Sequence, residues 1–186
     1  MKAGSGKQKG GRFERDTCRA LSLWVSDGKR DDIFWRSSMS GGRATIGLKT
    51  GRRRGAQAGD IGAIDGLAEL LLRLFYIECK FHRDLNIGQG IIKNNGLLYG
   101  FWTTAVRDAR NYNRHAMLVA RQNNTPTLCI IPTNAMMTFD LDGDVALCHV
   151  TSWGATFFDF QSFLAYAKVP SADTVYSVGN VERVKL

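Results

Sequence analysis

Hydrophobic positions along this chain follow two different periods, and the switches between them place its elements. From Arg12 to Val25, Phe13, Thr17, Ala20, Leu21 and Trp24 recur at steps of three and four, the spacing of one helix face. Gly10-Gly11 before this stretch and Asp27-Gly28 after it suit a start and a stop. A short ordered piece follows over Asp31–Arg36, carrying Ile33, Phe34 and Trp35. In Phe75–Phe81 the period becomes two. Phe75, Ile77, Cys79 and Phe81 share one face of a strand, and Glu78 and Lys80 share the other. Gly59–Ile64, a turn at Asp65-Gly66 and the run Leu70–Phe81 read as a hairpin leading into that strand. Helical spacing returns over Leu97–Tyr112, with Leu98, Phe101, Trp102, Ala105, Ala109 and Tyr112 on one side. Met117–Ala120 and Leu128–Ile131 read as short buried strands around the turn Asn123–Pro126, Val145–Val150 as another strand, and Phe158–Ala167 as a last short helix. This order predicts an α/β fold, a central mixed β-sheet flanked by helices. It is expected to comprise a basic flexible arm over 1–11, a core over 12–132 and a C-terminal β/α extension over 133–186 packed on the core.

Composition agrees with a packed domain: 186 residues, 44% of them hydrophobic. No run of eighteen apolar residues occurs, so no membrane partner is expected, and the basic N-terminus lacks the apolar stretch of a secretory signal. Cys18, Cys79, Cys129 and Cys148 stand alone among apolar neighbours, and His82, His115 and His149 have no zinc spacing. A reduced, intracellular protein is expected. Gly4-Ser5-Gly6-Lys7 lacks the rest of a phosphate-binding loop. Asp140–Asp144 lacks the closing Glu of a calcium loop and reads as a hairpin turn.

Charge changes the picture more. The net charge is +8, and residues 1–60 hold 14 Lys/Arg against 6 Asp/Glu, whereas residues 61–186 hold 11 of each. An excess confined to one third of the chain points to a polyanion, most often nucleic acid. Arg15 and Arg19 lie one helical turn apart and could face a phosphate backbone. Two loops within 36–58 carry Ser37–Arg43 and, between glycines, Arg52-Arg53-Arg54. Their serines, glycines and cations suit phosphate contacts.

The candidate chemistry sits on the Glu78/Lys80 face. If the hairpin turns near Leu67-Ala68, Asp60 falls opposite Tyr76 and diagonal to Glu78. Two acids beside a lysine form either an exposed ion pair on a solvent-facing sheet or a hard-cation site. Mg²⁺ takes a few carboxylates and keeps several waters. Beside a phosphodiester it polarises the phosphoryl oxygen and lowers the pKa of a bound water. Lys80 could orient that water or help deprotonate it, with a pKa lowered by partial burial. Glu14, next to Phe13 at the edge of the helical stripe, is held near the core.

This set resembles the PD-(D/E)xK nuclease superfamily, with Asp60 as the first acid and Glu78-Cys79-Lys80 as the (D/E)xK element. Gly59 stands where the name has a proline. The opening Lys9-Gly10-Gly11-Arg12-Phe13-Glu14-Arg15 is similar to that of the archaeal Holliday-junction resolvases. The stretch from Phe34-Trp35-Arg36 through Ser40-Gly41-Gly42 is similar to small phage-encoded nucleases of the group. The resemblance covers residues 9–132 and implies a restriction-endonuclease-like core. It implies a DNA endonuclease with Glu14, Asp60, Glu78 and Lys80 as catalytic residues. Mg²⁺, with Mn²⁺ as a substitute, would be held by Asp60, Glu78, the backbone carbonyl of Cys79 and Glu14. By analogy with the resolvases it implies a four-way DNA junction as substrate and a homodimer with two sites. DNA contacts are expected from Lys9, Arg12, Arg15, Arg36, Ser40, Arg43, Arg52, Arg53 and Arg54. Two other readings stay open: another endonuclease of the same chemistry (a nickase, or a restriction- or repair-type enzyme), and a non-catalytic DNA-binding protein with structural carboxylates.

Overall fold

A computed structural model describes residues 5–37, 59–63 and 65–171. Helix α1 spans Ser5–Val25 and buries Phe13, Thr17, Cys18, Leu21 and Ser22, the face that the spacing predicts. It starts seven residues before the expected Arg12, so residues 5–11 are helical rather than a flexible arm, and Gly10-Gly11 lie inside the helix. Glycine is a poor helix former. At Gly11 the Arg36 side chain lies against the helix, 3.5 Å from where a Cβ would stand, an ordinary contact that alanine would also allow.

Strand β1 (Phe34–Arg36) pairs antiparallel with β2 (Ile61–Ala63). Helix α2 (Gly66–Leu74) follows and runs directly into β3 (Phe75–His82). The expected hairpin is therefore absent: β2 pairs with β1, and a helix occupies the first half of the run assigned to the strand. The reason lies in the composition of Gly66–Leu74. Leu, Ala, Glu and Arg are strong helix formers, Glu69 and Arg73 pair one turn apart at 3.2 Å, and Ala68, Leu71 and Leu72 turn inward together.

After β3 the chain forms α3 (Ile87–Lys93) and α4 (Gly96–Arg110), then returns as β4 (His115–Gln122), parallel to β3 from Phe75↔His115 to His82↔Gln122. Strand β5 (Leu128–Pro132) is antiparallel to β4. Two 3-10 helices, Thr133–Phe139 and Gly143–Val145, lead to β6 (Cys148–Val150), β7 (Ala155–Asp159) and helix α5 (Phe160–Tyr166). Asp140–Asp144 is thus no hairpin turn. Asp140 closes the first 3-10 helix in the left-handed region, at φ 50°, where Asp is tolerated. Strand β7 was not expected, and its Phe158 belongs to the sheet rather than to the last helix.

The sheet order is β3-β4-β5-β7-β6, mixed as predicted, and the segment after residue 132 contributes two of its five strands. One core lies between the sheet and α1, α2 and α5, with Phe75, Ile77 and Cys79 at its centre. A second lies under α3 and α4, where Leu98, Trp102 and Ala105 meet Tyr76, Leu118 and Ile130. This is an α/β sandwich consistent with a restriction-endonuclease-like core.

Helix α5 is short and depends on its cap. The Asp159 carboxylate accepts the Ser162 N–H at 2.9 Å. Asp159→Ala should cost about 1 kcal/mol in urea denaturation and leave site chemistry unchanged. An unaltered midpoint would show that α5 holds by burial of Phe160 and Phe163 alone.

Candidate active site

The alternation of β3 does what the sequence predicts. Its apolar residues anchor the strand in the first core and fix Glu78 and Lys80 on the opposite face. Among the described residues β3 is also the outer strand of the sheet, so the backbone groups of its odd-numbered residues point to the edge of the sheet. Asp60 meets that edge. Its N–H donates to the Ile77 carbonyl at 3.0 Å, its own carbonyl accepts the Ser37 N–H at 2.8 Å, and its carboxylate accepts the Cys79 N–H at 2.9 Å.

Gly59 makes this approach possible. Its φ is +89°, and a Cβ there would stand 2.5 Å from the Ile77 carbonyl oxygen. A proline, fixed near φ −65°, cannot occupy this position, which explains in physical terms why the signature proline is missing.

Asp60 is 3% exposed. Lys80 Nζ lies 3.7 Å from its Oδ2 and also pairs with Glu78 Oε1. Burial pushes the Glu78 carboxyl up to about 7, the Asp60 charge adds to this, and Lys80 offsets only part of it. Burial alone would pull the Lys80 ammonium down, but Glu78 and Asp60 more than reverse that, and its pKa is raised. This corrects the expectation of a lowered lysine pKa. Lys80 stands here as a cation that donates hydrogen bonds. The Cys79 thiol is pushed well up, by burial first and by the Asp60 charge second, and is no nucleophile.

Glu14 and Arg36 pair with each other. Arg36 on β1 pairs with the Glu14 carboxylate on α1, and that bond, with the Glu14 and Asp60 charges, raises the Arg36 pKa. A half-buried arginine thus stands between the helical glutamate and Asp60. Among the described residues no group of three or more His, Cys, Asp or Glu side chains is placed to hold a metal ion. The donors gathered at β3 are the carboxylates of Asp60 and Glu78, with the Cys79 carbonyl on the same strand edge as the N–H that Asp60 accepts. Oxygen donors and two carboxylates that repel each other fit a hard divalent cation, which would complete its shell with water.

Of the expected DNA contacts, Lys9, Arg12 and Arg15 lie exposed on α1, and Arg12 pairs loosely with Asp16 at 3.8 Å. Ser40, Arg43, Arg52, Arg53 and Arg54 lie outside the described residues. Sequence reasoning noted Gly59 only as standing in place of the proline and missed its role in seating Asp60; the available signal was a glycine directly before an acid.

The geometry has a counterpart among known families. A family model described as "Phage putative PDDEXK endonuclease" matches residues 5–157. The chain belongs to this family. The match takes in α1, Asp60, β3 and all strands up to most of β7, well beyond the residues 9–132 that carry the resemblance. It makes the protein a nuclease of the PD-(D/E)xK type, with DNA as its substrate. Comparison with curated proteins and with solved structures gave no match. Among the described residues no helix is long and apolar enough to cross a membrane.

Proposed function

We propose that this nuclease is a Mg²⁺-dependent endonuclease that cuts four-way DNA junctions as a homodimer. The observation that carries the metal-dependent chemistry is the meeting of the Asp60 and Glu78 carboxylates around Lys80 at the edge of β3. A divalent cation bound there supplies a Lewis acid and an activated water. Asp60, Glu78 and the Cys79 carbonyl would hold it, with Glu14 joining them if Arg36 releases it. Asp60 is set for this by three backbone hydrogen bonds to its own peptide groups and carboxylate. Lys80, charged and shared between both carboxylates, donates to the attacking water or to the phosphoryl oxygen, and the water's proton would pass to solvent. Lys9, Arg12 and Arg15 give the substrate backbone a cationic wall along α1. The junction as substrate is supported by the likeness of Lys9–Arg15 to the resolvase opening, and the dimer by the need for one site per cut strand.

The test is incubation of end-labelled four-way junction, linear duplex and single strand with Mg²⁺. Paired nicks placed symmetrically about the junction centre are expected. Preferential cutting of linear duplex would assign a nickase, restriction or repair role instead, and binding without cutting would remove the catalytic reading. Lys80→Ala should lower the cleavage rate roughly 100-fold or more, the effect of losing one donor to the transition state. Wild-type cutting by that variant would exclude the lysine from the chemistry.

A further inference from the structure

The first half of α1 crosses the far ends of β3 and β4 and leaves a cavity of about 320 Å³, lined by Lys9, Arg12, Phe13, Asp16, Phe81 and Arg121. None of the catalytic side chains lines it. Its floor is aromatic: Phe13 and Phe81 pack with ring centroids 5.8 Å apart at 35°, and Phe81 is half-buried, with part of its surface open. Its rim is cationic. Lys9 Nζ lies 5.9 Å from the Phe81 ring centre. Arg121, paired in register with Phe81 across the two strands, is exposed beside it on the same sheet face. Three cations face one carboxylate, and that carboxylate, Asp16, is held by Arg12.

A duplex backbone sliding past would need the cations alone. A concave site with an aromatic floor suits a flat ring as well as a phosphate, and its volume suits a small ligand. Phe81 stands near the end of the strand that carries Glu78 and Lys80, on its other face. Resting on the nuclease reading above, we propose that this cavity takes one unpaired nucleotide of the substrate. The base stacks on Phe81, and Lys9, Arg12 and Arg121 hold its phosphate. The site would favour DNA with an unstacked base, such as a branch point, over continuous duplex.

Binding by the full chain carrying Glu78→Gln, which blocks cutting, tests this by fluorescence anisotropy. The DNAs are a fully paired duplex, the same duplex with one unpaired nucleotide, and that duplex with the unpaired nucleotide made abasic. The unpaired base should bind roughly 10-fold tighter than its abasic counterpart, and Phe81→Ala should abolish that difference while paired duplex binds as before. Arg121→Ala, on the exposed rim, should weaken the unpaired DNA more than the paired one, and it keeps the test valid if Phe81→Ala misfolds. Equal affinity for the base and the abasic DNA, or an Arg121→Ala variant that loses no more affinity for the unpaired DNA than for the paired one, overturns the proposal with the nuclease reading intact. Failure to bind any of the three DNAs would overturn both.

Discussion

Glu78→Gln is expected to abolish cleavage and, at pH 8 without metal, to make the fold more stable. Loss of cleavage, roughly 100-fold or more, follows from removing one of the two carboxylates available to a cation. The gain in stability follows from the same environment. Glu78 rises from an ordinary 4.5 to about 7 because burial and Asp60 disfavour its charge. A carboxyl with a raised folded pKa contributes fully below about 4.5, and that contribution is lost as pH rises through 7. Above pH 7 the charged group then costs up to about 3 kcal/mol, which glutamine avoids. For a chain of this size the melting temperature should rise by up to roughly 10 °C at pH 8, with little difference at pH 4.5. Thermal melts in EDTA at the two pH values check this. Identical melts at pH 8 would mean that Lys80 neutralises Glu78 completely.

Gly59→Ala should inactivate the protein without touching an ionisable group. The added methyl would stand 2.5 Å from the Ile77 carbonyl oxygen, and backbone cannot swing away as a side chain can. Alanine at φ +89° is also strained, by about 1–3 kcal/mol. Relief requires pulling Asp60 off β3, which breaks its 3.0 Å bond to Ile77 and the 2.9 Å bond to Cys79. Cleavage should fall toward that of Asp60→Asn while circular dichroism still reports the α/β fold. A Gly59→Ala protein that cuts at the wild-type rate would show that Asp60 needs no fixed seat on the strand.

Elements with a clear period were readable from sequence. α1, β3 and α4 each alternate apolar and polar positions in a way that only one structure satisfies. Gly66–Leu74 does carry helical spacing, with Ala68, Leu71 and Leu72 inward and Glu69 and Arg73 outward, but it runs without a break into the strand, so Leu70–Leu74 read as part of that strand. β1 and β2, three residues each, are shorter than any pattern, and their pairing spans the residues between 36 and 61. The expectation that Asp60 reaches Glu78 and Lys80 holds, but by another route. A left-handed glycine and an edge contact bring it there, not a hairpin register. The Glu14–Arg36 pair joins a helix to a strand 22 positions away, and local spacing carries no information about such a partner. The direction of the Lys80 shift was likewise hidden, because it depends on how deeply two acids are buried beside it.

The seat of Asp60 has a consequence for how this protein avoids sticking to itself. An outer β-strand is a template for any passing chain, because it offers a row of unpaired donors and acceptors. On β3 the acceptor of Ile77 and the donor of Cys79 are both already taken by Asp60, and the charged Glu78 and Lys80 flank them. The groups read here as chemistry also serve as the bumper on that margin, so selection for cutting DNA and selection against aggregation act on the same few atoms.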